Sequence, residues 1–168
     1  MSINIYEISI PVIIKNFKTF SSILEEGKKF CKEKEIDETV LINTRLFPNM
    51  LPLKSQIQIA TDIARKGFFR VFDKDCPTFD DTEENFTDLQ ERIKKNITIL
   101  EKLDSKKLEE LQYHKNQFEI GQTKFKFNNF KEYLFVWIFP NFYFHMTTTY
   151  NILRSKGVDL GKKNFLSF

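Results

Sequence analysis

Chemical capacity in this chain concentrates near its C-terminus, where Asn141 and His145 stand four residues apart within Pro140-Asn141-Phe142-Tyr143-Phe144-His145. On a helical wheel both fall on one narrow stripe with Leu134, Ile138, Thr148 and Ile152, so two polar groups interrupt an otherwise apolar face. A spacing of four brings both side chains over the same patch of helix, where they could address one metal or one substrate. Imidazole also serves as a general base near neutral pH. The competing reading of His145 is a buried imidazole satisfied by a single hydrogen-bond partner. Pro140 frees a carbonyl one turn earlier and can widen the helix locally. Tyr143 and Tyr150 flank the stripe as amphipathic packing residues, with Tyr150 counted among the candidate ligand contacts. Thr147, Thr148 and Thr149 read as hydroxyls bonding back to preceding carbonyls, and His114 as an exposed loop residue.

The elements that must carry these residues are predominantly helical. Ile10, Ile13, Ile14, Phe17, Phe20, Ile23, Leu24 and Phe30 recur three and four apart, predicting a first helix between about Ile5 and Lys34 that begins properly, or kinks, at Pro11. Asp37-Glu38-Thr39 caps a short element through Leu41 and Ile42. Between Arg45 and Leu53, Pro48 and Pro52 forbid a helix while the apolar residues call for burial, so a buried, shaped loop is expected. Leu53, Ile57, Ala60, Ala64, Gly67, Phe68 and Val71 then define a second helix whose small residues permit close approach by a neighbour. Asp81-Thr82-Glu83-Glu84 is expected to open a third helix running to Leu103. Phe118-Glu119-Ile120 and Phe125-Lys126-Phe127 alternate around Gly121, predicting a small hairpin. A last helix follows from about Asn129 to Lys156 and stops at Gly157, and a tail, Val158 to Phe168, is expected to pack back. The class is all-α, a four-helix bundle with a β-hairpin inserted before the last helix.

A length of 168 residues suits one domain, 1–168. A hydrophobic fraction of 41% beside 29% charged residues excludes both a disordered chain and a membrane-embedded one. Twenty-six Lys and Arg against 23 Asp and Glu leave a charge of +3, short of the basic surface a nucleic-acid partner requires. Charge runs such as Glu91-Arg92-Ile93-Lys94-Lys95 read as solvated faces. Cys31 and Cys76 lack metal or disulfide spacing. No basic segment precedes the first apolar residues, and the aromatic run from Tyr133 to Phe139 is far shorter than the ~20 residues of a membrane span, so a reduced cytoplasmic compartment is expected. Aromatic residues make up 15%, mostly 19 Phe, several of them crowded on the helix of Asn141 and His145.

The run from Pro140 to His145, followed by Thr148-Thr149-Tyr150, Ile152-Leu153-Arg154, Gly157-Val158, Gly161-Lys162 and Phe165-Leu166, closely resembles the C-terminal signature of the domain-of-unknown-function family numbered nineteen-ninety-three. Arg45-Leu46, Pro48, Met50, Pro52-Leu53, Gln56, Gln58-Ile59-Ala60 and Asp62 look like its central motif, and Asp81-Thr82-Glu83 like its third-helix start. The resemblance implies a branch of the DinB-like superfamily of four-helix bundles, some members of which hold a divalent metal through three histidines and transfer thiols or act on small molecules. By that resemblance His145 takes the place of the second histidine of an HxxxH pair and Asn141 the place of the first. The helix-two histidine has no counterpart; Gln58 and Asp62 are the nearest polar residues. An amide is a poor ligand for zinc or nickel, and the wheel turns Asp62 away from the Ile57, Ala64 and Val71 face, so no firm cofactor is expected, with His145 and Asp62 the remaining metal candidates.

Three readings of function follow. The first is a small-molecule-binding bundle of unknown ligand, with Asn141 and His145 in a cavity lined by the last helix and Arg45, Gln56 or Gln58 near its mouth. The second is a divergent metal-dependent transferase or hydrolase using His145. The third is a non-enzymatic homodimer joined through the aromatic hairpin and tail.

Overall fold

The computed structural model describes residues 4–167. Its elements in chain order are α1 (Ile10–Glu33), α2 (Glu38–Ile42), α3 (Leu53–Val71), α4 (Phe86–Glu101), α5 (Ser105–Leu111), β1 (Asn116–Ile120), β2 (Thr123–Phe127), α6 (Phe130–Tyr133), a π-helical turn (Leu134–Ile138), α7 (Phe139–Ser155) and α8 (Lys162–Leu166). The four long members, α1, α3, α4 and the α6–α7 run, close a ring in which α1 packs on α4, α4 on α3, α3 on α7 and α7 on α1. Pro11 sits in the first turn of α1, where its missing donor does no harm.

The apolar stripes meet at the centre. Phe17 of α1 and Phe142 of α7 are both fully buried and set edge to face, with ring centroids 5.3 Å apart. Gly67 is the point of closest approach between α3 and the last helix, since a Cβ there would lie 2.8 Å from Ile138. Gly27 plays the same part on α1, with Phe86 of α4 and Leu153 of α7 against it. Short helices and the tail close the ends. Glu38 of α2 accepts from the backbone N–H of Phe86 at the start of α4, at 2.7 Å. Gly157, at φ 95°, stops α7, after which Val158 and Leu160 are buried and Phe165 stands edge-on against Tyr150. Met1 to Ile3 and Phe168 lie outside the described residues.

The π-helical turn has a local cause. Pro140 cannot donate to the carbonyl one turn back, the N–H of Phe139 reaches Leu134 instead, and the Asn141 side chain donates to the Trp137 carbonyl at 2.8 Å. The hairpin preceding it pairs Phe118 with Phe125, and Gly121 at its tip supplies the positive φ of 57° that the two-residue loop demands. Phe118, Phe125 and Phe127 form one face, laid on Tyr133 and Trp137.

Three expectations need correction. Asp81 to Glu84 is not helical: α4 begins at Phe86 behind the N-cap Asn85, because the Asp81 and Glu83 carboxylates turn inward to Arg92. Arg92 is accordingly 2% exposed, so the run from Glu91 to Lys95 is not wholly a solvated face. The loop from Arg45 to Leu53 keeps Pro52 and Leu53 buried but leaves Leu46, Phe47 and Leu51 exposed. It is shaped by backbone bonds instead, Met50 N–H to Phe47 and Leu53 N–H to Thr44. After Leu103 the chain forms one further short helix, α5, capped by Asp104 and anchored through Leu108 and Leu111. Among the described residues no helix is long and apolar enough to cross a membrane.

Candidate functional site

His145 lies on the face of α7 that meets the N-terminal half of α3. Its Nδ1 is 2.7 Å from Oε1 of Gln56, and the Gln56 amide donates through Nε2 to the Leu51 carbonyl at 2.9 Å. A carbonyl can only accept, so the Leu51 contact fixes the orientation of the Gln56 amide and leaves its oxygen facing the imidazole. The proton of a neutral His145 therefore sits on Nδ1, and Nε2 carries the free lone pair. Burial pushes the His145 pKa down to about 4, so the ring is neutral at pH 7. Among the described residues no buried side-chain nitrogen or oxygen lacks a partner, and Nε2 has none in the protein, so Nε2 reaches solvent.

The other residues singled out in the sequence are placed as follows. Asn141 spends its amide donor on the π-helical turn. Arg45 donates to the Met50 carbonyl and braces the loop before α3. Tyr150 packs on Phe165 and donates to Leu160 at 3.4 Å, holding the tail. Gln58 is buried and donates to Glu83 at 2.8 Å. Thus Gln56, rather than Gln58 or Asp62, is the α3 residue that reaches His145.

Asp62 belongs to a charged network between α3 and α4 that periodicity alone did not single out. Arg65, with no exposed surface, donates to Asp62 at 2.6 Å, Asn96 at 2.8 Å and the Pro77 carbonyl at 2.9 Å. Arg92 donates to Asp62 and Glu83, both at 2.9 Å, to Thr61 at 2.9 Å and to the Asp80 carbonyl at 3.2 Å. The Phe79 ring lies 4.1 Å from the Arg65 guanidinium and 5.6 Å from that of Arg92. The connection between α3 and α4 is thereby strapped over two buried cations. Burial alone would raise the Asp62 carboxyl, but the hydrogen bond from Lys66 and the charges of Arg65, Lys66 and Arg92 outweigh it and hold the group below its ordinary value. A sign of this network was available: Gln58, Thr61, Asp62 and Arg65 recur three and four apart on α3, and Arg92 and Asn96 four apart on α4.

Between α3, the hairpin and the π-helical turn runs an open cleft of about 480 Å³. Leu51, Ile59, Ile63, Ile120 and Trp137 give it apolar walls; Gln58, Asp62, Lys66, Arg70 and Asp81 line its polar side. The cleft is thus lined chiefly by α3, with Trp137 the contribution of the last helix. Leu51, whose carbonyl accepts from Gln56, lines the cleft, whereas Gln56 and His145 do not.

The donor set does not fit a transition metal. His145 offers one imidazole nitrogen, Gln56 is engaged at both amide atoms, Asn141 supplies only an amide oxygen, and Asp62 is held by three cations. Among the described residues no three His, Cys, Asp or Glu side chains gather at metal-binding distance.

Comparison with known proteins bears on the same architecture. A family model described as a domain of unknown function (DUF1993) matches residues 5–166. No curated protein matches the chain. Among solved structures, a DinB family member protein from Shewanella denitrificans is similar, with a TM-score of 0.85 and 30% identity over 96% of this chain and 90% of that one.

Proposed function

The chain belongs to the DUF1993 family and folds as a DinB-like helical bundle, and from that premise we propose that it binds a small organic molecule in the cleft along α3. The observation that carries this reading is the composition of the walls: apolar side chains on one side, fixed polar groups on the other, around a volume in the range of about 300–1,000 Å³ usual for ligand sites. On the polar side Asp62 is held by the arginine network behind it and Gln58 by Glu83, so ordering these two groups on binding costs little. One hydrophobic cluster joins the four long helices, and the chain acts as a single unit around it. Phenylnaphthylamine, an aromatic probe that fluoresces on leaving water, should bind saturably at one site. Ser55→Trp, which projects an indole into the cleft, should abolish that binding. Unsaturable fluorescence, or binding indifferent to Ser55→Trp, would remove the reading.

A second reading is favoured by one observation, the open lone pair on His145 Nε2. A neutral imidazole anchored at Nδ1 is competent to accept a proton from a molecule reaching the Leu51 end of the cleft, without any metal. Its test is turnover of a cleft-bound compound: loss in His145→Gln with the fold and the binding retained supports it, and unchanged turnover ends it.

A further inference from the structure

We propose that the ligand of the α3 cleft is an anion, a carboxylate, sulfonate or phosphate ester on an apolar body, and that Arg70 receives its charged group. The inference rests on the cleft being a binding site and adds the chemical class of what it takes.

The cleft and the arginine network behind it together carry one cation more than they carry carboxylates, and the surplus has an address. Asp62 is paired with Arg65, Lys66 and Arg92, while Glu83 and Asp81 are both paired with Arg92. Counting the network behind the cleft, four cations, Arg65, Lys66, Arg70 and Arg92, stand against three carboxylates, and of these four Arg70 alone has no carboxylate partner among the described residues. A guanidinium at the edge of an apolar cleft leaves the wall electropositive at that point.

Arg70 is also held still. Its Nη1 donates to the Tyr133 hydroxyl at 3.0 Å, and the guanidinium lies 4.2 Å over the Phe118 ring. An exposed arginine ordinarily loses side-chain freedom on binding a ligand; here a buried tyrosine and a hairpin phenylalanine have fixed the fork beforehand, leaving the remaining N–H groups open. Lys66 lies one turn earlier on the same rim, but Asp62 holds its ammonium at 2.6 Å, so it is a secondary contact. An anion on Arg70 would place an attached apolar group along Ile63 and Trp137.

The test compares two probes that share both aromatic groups and differ only in charge, anilinonaphthalene sulfonate and phenylnaphthylamine. Arg70→Gln should weaken the sulfonate roughly tenfold and leave the neutral probe within about twofold, while Arg70→Lys, which keeps the charge and loses the fork, should fall between. Raising the salt should weaken only the sulfonate. If Arg70→Gln changes both probes equally, or neither, while Ser55→Trp still abolishes both, the cleft reading survives and the anion inference is overturned. If Ser55→Trp leaves both untouched, the probes bind elsewhere and both proposals fall.

Discussion

The His145–Gln56 pair and the Arg65–Arg92 network are both polar intrusions into a bundle interior, and they differ in what is left over. In the network each buried guanidinium meets carboxylates, carbonyls, an amide or a hydroxyl, and no buried side-chain atom goes unpartnered. In the pair one imidazole nitrogen is bonded and the other is open. A saturated cluster has its free energy committed to holding α3, α4 and their connection together. An unsaturated one retains capacity for a molecule from outside. The number of buried charges is therefore a poor guide to a site; the number of unspent donors and acceptors is a better one.

The largest effect that could break this contrast is on stability. Arg92→Leu leaves Glu83 short of its main partner and Asp62 short of one, and should cost about 3–5 kcal/mol in chemical denaturation. A cost below ~1 kcal/mol would mean the network is slack. Next, Asn96→Leu strands one donor of Arg65 and should cost about 1–3 kcal/mol.

The pair predicts a pH effect in place of a large loss. The folded pKa of His145 lies near 4, below the unfolded value of about 6.5, so the unfolded chain binds the extra proton first. Its contribution is fully present above about pH 6.5 and is lost as pH falls toward 4. His145→Gln should flatten the stability profile in that window, leaving the loss below about pH 4 to which the depressed Asp62 and Asp37 carboxyls contribute. The nitrogen chemical shifts of the native imidazole should place its proton on Nδ1; a proton on Nε2 would contradict the Gln56 assignment. Smallest of all, Tyr150→Phe removes a 3.4 Å bond and should cost about 0.5 kcal/mol or less.

Much of the bundle was legible because apolar spacing records which face each helix buries. The spacing of Asn141 and His145 is a property of one helix, and the hairpin read from alternation around Gly121 is equally local, whereas the π-helical turn breaks the regular wheel between Leu134 and Ile138. What was not legible depends on how helices are turned toward one another. Gln56 and Gln58 are two residues apart on α3, and only the rotation of α3 against α7 and α4 decides that the first meets His145 while the second meets Glu83. Arg92 misled for a related reason. A charged run looks alike whether solvent or a second charged stripe faces it, and the answer lay on α3, in Thr61, Asp62 and Arg65.

The π-helical turn sets the rotational phase of the last helix. Upstream of it Tyr133 turns toward the hairpin and Arg70, and downstream His145 turns toward Gln56. The turn accommodates what amounts to one surplus residue. Deleting one residue between Leu134 and Ile138 would restore an unbroken α-helix only by rotating everything before it by about 100° relative to everything after. The two polar addresses on this helix are thus coupled in register through a backbone irregularity, and a chain one residue shorter there could satisfy either of them but not both.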